Sequence, residues 1–228
     1  MLLEYKEAGM TCNDHIILLK NKYNRKKMAY TARLDPMARG VVPILVDDEC
    51  KQLNSMLHTN KKYRVKVIVG IKTDSDDPLG LITSMNTVNI NIDDFIKKYG
   101  NMFELSNKSI NQQYHYFSTV ALNNRKRGNN MLSYHMVTLH TSVITKWGYL
   151  NFKEWRNEII STIMKVDINN NNRFRQKEII EQWNSLDSMV LPYIEIELDV
   201  SSGFFVRQFI ADFSMDLMCF DIHRINVY

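Results

Sequence analysis

Asp35 stands between two arginines. In the run TARLDPMARG, residues 31–40, Arg33 and Arg39 flank it, Pro36 follows it and Gly40 closes the segment. An aspartate so placed is a surface ion pair, a turn former, or a nucleophile kept ionised by its neighbours. The last needs little: a normal Asp is already a carboxylate at neutral pH, and a nearby guanidinium keeps it one inside a desolvated pocket. Three more places offer chemistry: Tyr63 near the start of KKYRVKVIVG, the acidic loop TDSDDPLG, and Arg207 in SSGFFVRQF. Each alone has a plain structural explanation. Asp before Pro opens turns, a Tyr alternating with three valines packs in a core, and an Arg on a Phe-rich helix snorkels to solvent.

The elements that would position these groups are legible in part. Thr11 heads a Thr-x-x-Asp capping box for a short helix over 13–24. KKYRVKVIVG alternates, with Tyr63, Val65, Val67 and Val69 on one face and Arg64 and Lys66 on the other, which predicts a strand with a polar side. TDSDDPLG supplies a loop of turn residues. Residues 91–105 read as a helix with Asp93 and Asp94 early and Lys97 and Lys98 late, as the helix dipole prefers. NNRKRGNN, residues 123–130, reads as a basic flexible loop, and the Asn-rich INNNNRFR as a surface turn between helical pieces 151–166 and 175–185. YIEIELDV alternates again, with Ile194, Ile196, Leu198 and Val200 inward. It turns through Ser201, Ser202 and Gly203 into a helix carrying Phe205, Phe209 and Phe213 at helical spacing. Arg207 falls in the first turns of that helix, near the sheet edge. The layout is α+β, with strands able to pair antiparallel.

A chain of 228 residues with 45% hydrophobic content fits one large domain with a sizeable core. Its apolar runs are too short to span a bilayer, and MLLEYKEAGM is no signal peptide. Cys12, Cys50 and Cys219 are odd in number and far apart, which suggests a reducing, cytoplasmic setting and idle or buried thiols. The net charge of +4 is unevenly placed: residues 20–72 hold 13 Lys and Arg against four Asp and Glu, a balance of +9, while the other 175 residues sum to −5. That asymmetry favours a basic surface facing a polyanion, most simply nucleic acid, over a merely solvated face.

Taken together and in order, YKEAGMTCND, YTARLDPMARGVVPILVDDECK, KKYRVKVIVGIKTDSDDPLG and SSGFFVRQFIADF resemble the TruB family of tRNA pseudouridine synthases. The Leu-Asp-Pro-x-Ala-x-Gly core and the Lys-x-Tyr-Arg strand with its Thr-Asp loop carry the likeness. The resemblance implies a pseudouridine synthase fold: a mixed, largely antiparallel central sheet flanked by helices, with an RNA-contacting loop insertion. It implies that Asp35 attacks the target nucleotide, that Arg207 is its buried partner and that Tyr63 stacks on the flipped base and assists proton removal. It assigns Lys6 and Gly9 to support of the active-site loop, Asp77 to a loop carboxylate near the substrate, and Val227 to a pocket leucine position. Arg33 and Arg39 are expected on the phosphate backbone. Neither cofactor nor metal is implied. The expected partner is RNA, the T-arm of tRNA, with no membrane and no obligate protein partner, acting as a monomer.

The sequence departs from the family in three places. Before Leu34-Asp35 the family has Gly-His-Thr-Gly, where this chain has Ala29, Tyr30, Thr31 and Ala32, so Tyr30 takes the place of a histidine that packs near the flipped base. Pro-Pro-x-Tyr-Ser-Ala-x-Lys becomes YHYFSTVALNN, both prolines and the lysine gone; Arg125, Lys126 and Arg127 lie a few residues on and are candidates to restore charge toward RNA. The sequence runs to just after IHRINVY, so the family's C-terminal PUA domain is expected to be absent; residues 1–228 are expected to form one catalytic domain, with 148–185 longer than the core needs. Two function classes follow: a pseudouridine synthase acting on a T-loop uridine or a T-loop-like hairpin in mRNA or rRNA, and an RNA-binding or tRNA-folding protein with little catalysis.

Overall fold

The alternation that starts at Lys61 builds the strand around which the sheet assembles. In a computed structural model that describes residues 1–86, 90–126, 133–166, 173–187 and 189–228, β4 runs Lys61–Val69. Its Tyr63, Val65, Val67 and Val69 are buried together, as the period of two requires. Its polar side meets β9 (Val190–Val200) through cross-strand ion pairs, Arg64–Glu197 at 2.8 Å and Lys62–Glu197 at 2.9 Å. Ile194, Ile196, Leu198 and Val200 of β9 face inward with the valines of β4.

Around this pair the chain adds β1 (Leu2–Lys6), β2 (Met28–Tyr30), β3 (Arg39–Val46), β7 (Leu105–Gln113), β8 (Tyr134–Asn151) and β10 (Leu217–Val227). The sheet order is β1-β3-β10-β4-β9-β8-β7, with β2 paired to β3. All these pairs are antiparallel except β3 with β10. A separate hairpin, β5 (Ile71–Thr73) with β6 (Ile82–Met85), encloses the acidic loop.

Helices cover both faces. On the valine side lie α1 (Cys12–Tyr23), α2 (Ile92–Phe103) and α6 (Val206–Ala211). The predicted capping box closes α1: the Asp14 amide donates to the Thr11 hydroxyl and the Thr11 amide to the Asp14 carboxylate. On the other side α4 (Phe152–Lys165) and α5 (Gln176–Ser185) lay Trp155, Ile159, Ile163 and Trp183 over Ile68, Met218 and Tyr193. Within the long 148–185 region, α4 and α5 therefore close the second face of the sheet. Most of the Asn-rich turn falls outside the described residues.

Two elements differ from the sequence reading. The basic stretch at 123–126 is the end of a helix, α3 (Thr119–Lys126), rather than loop, with Arg125 stacked 3.8 Å over the Tyr116 ring. The Phe-rich helix is only six residues long: Phe205 is its extended N-cap, and Ser214 at φ +53° turns the chain toward β10. Phe213 still reaches the core, 4.3 Å from Phe103 ring to ring. No helix among the described residues is long and apolar enough to cross a membrane.

Candidate active site

The Asp35 segment crosses from β2 to β3 and is fixed by buried groups from four directions. Arg224 of β10, 1% exposed, donates to the carbonyls of Val41 (2.7 Å), Ala32 (3.0 Å) and Arg33 (3.1 Å). The Cys12 thiol exchanges hydrogen bonds with the backbone of Leu34 at 3.3 Å in each direction. The Lys6 ammonium donates to the carbonyls of Ala38 (2.7 Å), Glu7 (3.0 Å) and Pro36 (3.4 Å), and the Gly9 amide donates to Pro36 (2.9 Å). Burial brings Lys6 down to about 8. Gly40 has φ +126°, and a Cβ there would lie 2.1 Å from the Arg224 carbonyl oxygen. Only glycine lets β3 approach β10 so closely. Buried side chains, together with the Gly9 amide, thus satisfy these backbone groups of the loop, as burial demands.

Held in this way, Asp35 meets Arg207. The guanidinium Nε donates to the Asp35 carboxylate at 2.9 Å and Nη1 to the Ser75 carbonyl at 2.9 Å, while the Asp77 carboxylate forms an ion pair with Nη1 at 3.2 Å. The two carboxylates differ in access: the Asp35 side chain is 41% exposed, that of Asp77 only 4%. Burial alone would loosen the Arg207 proton, but the paired aspartates outweigh it and hold the charge more firmly than usual. Burial pushes the Asp77 carboxyl up, against the pull of Arg207, and hydrogen bonds from the Ser75 hydroxyl (2.7 Å) and the Leu79 amide (2.9 Å) satisfy it.

Asp35 and Arg207 open on a cleft of about 500 Å³ whose walls include Tyr63, Ile222, Phe204 and Val206. That volume is ordinary for a small-ligand site, and its lining joins an apolar wall to a few convergent polar groups. Acid, guanidinium and phenol ring share one cleft. Thr31 and Arg33 line it as well, and Arg33 also lies over the Tyr30 ring at 5.2 Å.

Other candidates lie elsewhere. Tyr30 does not line the cleft: its ring packs against the core and its hydroxyl donates to Asn13 on α1. Arg39 is committed to Asp221 by two hydrogen bonds, at 2.9 and 2.8 Å, and to the Tyr5 hydroxyl at 3.0 Å. It lines a different cavity of about 220 Å³ beside α4, so its fork is spent inside the protein. Asp77 is a buried counter-ion of Arg207 and no cleft residue. Val227 does not reach the cleft either; Ile222 supplies the β10 aliphatic. Arg125 and Lys126 are outside the cleft on α3, and Arg127 lies outside the described residues.

The sequence reading missed Arg224, Lys61, Ile222 and the pair formed by His115 and Asp76. His115 accepts the Phe117 amide on Nδ1, which leaves its Nε2 proton for the Asp76 carboxylate 3.1 Å away, and both residues are buried. The pair ties the acidic loop to the segment where both prolines are absent. The alternation of Ile222 and Arg224 in DIHRINV was the available signal, masked because an arginine occupies the buried phase.

With the geometry established, comparison places the chain. A model of the TruB family pseudouridylate synthase (N terminal domain) matches residues 20–171. This chain belongs to the TruB family. The tRNA pseudouridine synthase B of Tolumonas auensis is 33% identical over 93 residues, 41% of this chain and 29% of that protein. The one from Alkaliphilus oremlandii is 37% identical over 83 residues, 36% of this chain and 28% of its own length. The matched stretch thus spans less than a third of these relatives. The tRNA pseudouridine synthase B of Malacoplasma penetrans aligns more fully, at 26% identity over 217 residues, 93% of this chain and 76% of that one. Among solved structures, a Cbf5-Nop10-Gar1 complex superposes with a TM-score of 0.50 at 13% identity, covering 98% of this chain and 47% of that one, a likeness of fold.

Proposed function

We propose that this TruB-family chain is an RNA pseudouridine synthase that isomerises a uridine in the T-loop of tRNA. The observation that carries this reading is the 2.9 Å contact of a buried Arg207 with an Asp35 carboxylate still open to a nucleobase-sized cleft. A nucleophile must be oriented and reachable, and this carboxylate is both. One oxygen is bonded to Arg207 and the loop is tied to Arg224, Cys12 and Lys6, so attack on an extruded nucleotide costs little reorganisation.

The reaction needs no oxidant and adds no atoms. The bond from the sugar to the base nitrogen breaks, the uracil rotates while held in the cleft, and the sugar rebonds to a ring carbon. The proton leaving that carbon is balanced by one gained at nitrogen. Tyr63 offers a ring face to the free base and a phenol to the departing proton. Arg207 holds the Asp35 carboxylate in place between steps. The uneven basic charge of residues 20–72 supports approach to the RNA backbone.

The test is chemical mapping of pseudouridine in unmodified tRNA after incubation with the protein and with Asp35→Asn, which keeps shape and removes the charge. Product from the wild type and none from the variant is the expected result. Tight tRNA binding without product from either refutes the enzyme and leaves an RNA-binding protein.

A further inference from the structure

Among the described residues, two cations buried in the cleft wall pair with no carboxylate. Lys61, the first residue of β4, is 6% exposed; its ammonium donates to the Thr59 carbonyl, and among the described residues it pairs with no acid. Arg224 gives its hydrogen bonds to three neutral carbonyls. Both line the cleft, where the one carboxylate among the described lining residues, Asp35, is already bonded to Arg207. Burial, with the field of Arg224 added, brings Lys61 down to about 8. The wall also holds an unused donor: Thr31 is 6% exposed, lines the same cleft, and its hydroxyl has no hydrogen-bond partner among the described residues. Buried charge without a counter-charge and a buried hydroxyl without a bond are both unfavourable, and a bound anion relieves either.

We propose that Lys61 and Thr31, in the field of Arg224, form an anion subsite that receives a backbone phosphate of the bound RNA beside the extruded nucleotide. The proposal rests on the RNA reading above and names which phosphate the cleft grips. An ammonium suits this place: it is a compact point charge with rotatable donors, able to follow a phosphate as the nucleotide enters. Arg224 sets the field while its fork stays on the loop.

The experiment measures affinity for an unmodified T-arm stem-loop RNA between 50 and 200 mM KCl, for the wild type, Lys61→Met, Lys61→Arg and Thr31→Val. One lost phosphate contact lowers the slope of log affinity against log salt by about 0.7–0.9. K61M is therefore expected to lose about one ion's worth of slope and roughly tenfold in affinity at low salt, while K61R keeps the slope. T31V is expected to weaken binding several-fold at unchanged slope. Without RNA, K61M should melt above the wild type, because an unanswered charge has gone; a lysine serving only structure would lower the melting point. Should K61M fail to fold, T31V and K61R carry the test: full affinity in T31V together with a reduced slope in K61R overturns the subsite.

A second arm replaces KCl with potassium phosphate at equal ionic strength. A melting-point rise in the wild type that K61M lacks shows that the subsite also takes free phosphate; no rise, with the RNA slope effect intact, shows that it needs the phosphodiester. An unchanged salt slope in K61M overturns the proposal. If the wild type makes pseudouridine while the slopes coincide, the subsite falls and the enzyme stands; if the slopes differ but no pseudouridine forms, the reverse holds.

Discussion

Removing Arg207 should cost stability mainly through Asp77, not through Asp35. In Arg207→Met the apolar volume is roughly kept, but two carboxylates lose their cation. Asp35 is open enough for water to replace the guanidinium, so its share is small. Asp77 is 4% exposed and cannot be rehydrated, and breaking such a buried pair costs about 3–5 kcal/mol. For a chain of this size that is a fall in melting temperature of roughly 6–20 °C. The loss has a pH signature. In the variant the folded Asp77 carboxyl sits further above its unfolded value than in the wild type, because burial still pushes it up and the opposing pull of Arg207 has gone. A carboxyl raised in the fold contributes least above its folded pKa, so R207M should regain stability as the pH is lowered through that value. Adding Asp77→Asn removes the orphaned charge while keeping a group that accepts from Ser75 and Leu79. Urea unfolding of the wild type, R207M, and R207M with D77N should therefore show the double variant recovering at least half of the loss, with pseudouridine formation absent in both. A double variant as unstable as R207M alone, or a single variant within about 1 kcal/mol of wild type, refutes the assignment of Asp77 as the buried counter-charge.

Arg39→Ala should leave the affinity for T-arm RNA within twofold and cost about 1 kcal/mol of stability, since its guanidinium is half-exposed and bound to Asp221; filter binding and thermal melts check both. Gly40→Ala should destabilise by about 3–5 kcal/mol, because a methyl group 2.1 Å from a backbone oxygen forces β3 and β10 apart, and the loss should appear in the urea midpoint. Lys61, ordinarily near 10.5 and about 8 in the fold, binds protons more weakly when folded, so this residue makes wild-type stability rise with pH between those values. The stability advantage of K61M should accordingly narrow by about 2–3 kcal/mol from pH 8 to 10.5, read as the difference between the two proteins so that the buried thiols cancel.

What could be read from the sequence was whatever is written locally. The Thr11–Asp14 box, the alternation of β4 and β9 and the helical periods of α2, α4 and α5 each depend on neighbours within a few residues, and each element formed where that pattern lay. The strands left unassigned are those whose reason is tertiary. β3 reads as an apolar run around a proline, and becomes a strand because β1, β2 and β10 all pair with it. β10 carries Asp221, His223 and Arg224, charges that disguise a strand lying beside β4. The helix bearing Arg207 is shorter than its Phe spacing suggests because the aromatic period continues through an extended cap and a left-handed turn.

The same distinction governs the site. Asp35, Tyr63 and Arg207 lie about 30 and 140 residues apart in sequence, yet each sits in a stretch of recognisable motif, so their meeting in one cleft was expected from family likeness. Arg39 and Arg224 show what motif reading misses. Both are arginines beside the same loop, and charge alone makes either a contact for RNA. Their partners decide otherwise. Arg39 meets a carboxylate that answers its charge within the protein. Among the described residues Arg224 hydrogen-bonds carbonyls alone, which orient its charge without cancelling it, so its field remains in the cleft beside Lys61. A count of basic residues over 20–72 cannot separate these cases, and it omits Arg224 altogether. What makes a cation available to an anionic ligand is whether the fold has already paired it, and no spacing rule along the chain encodes that.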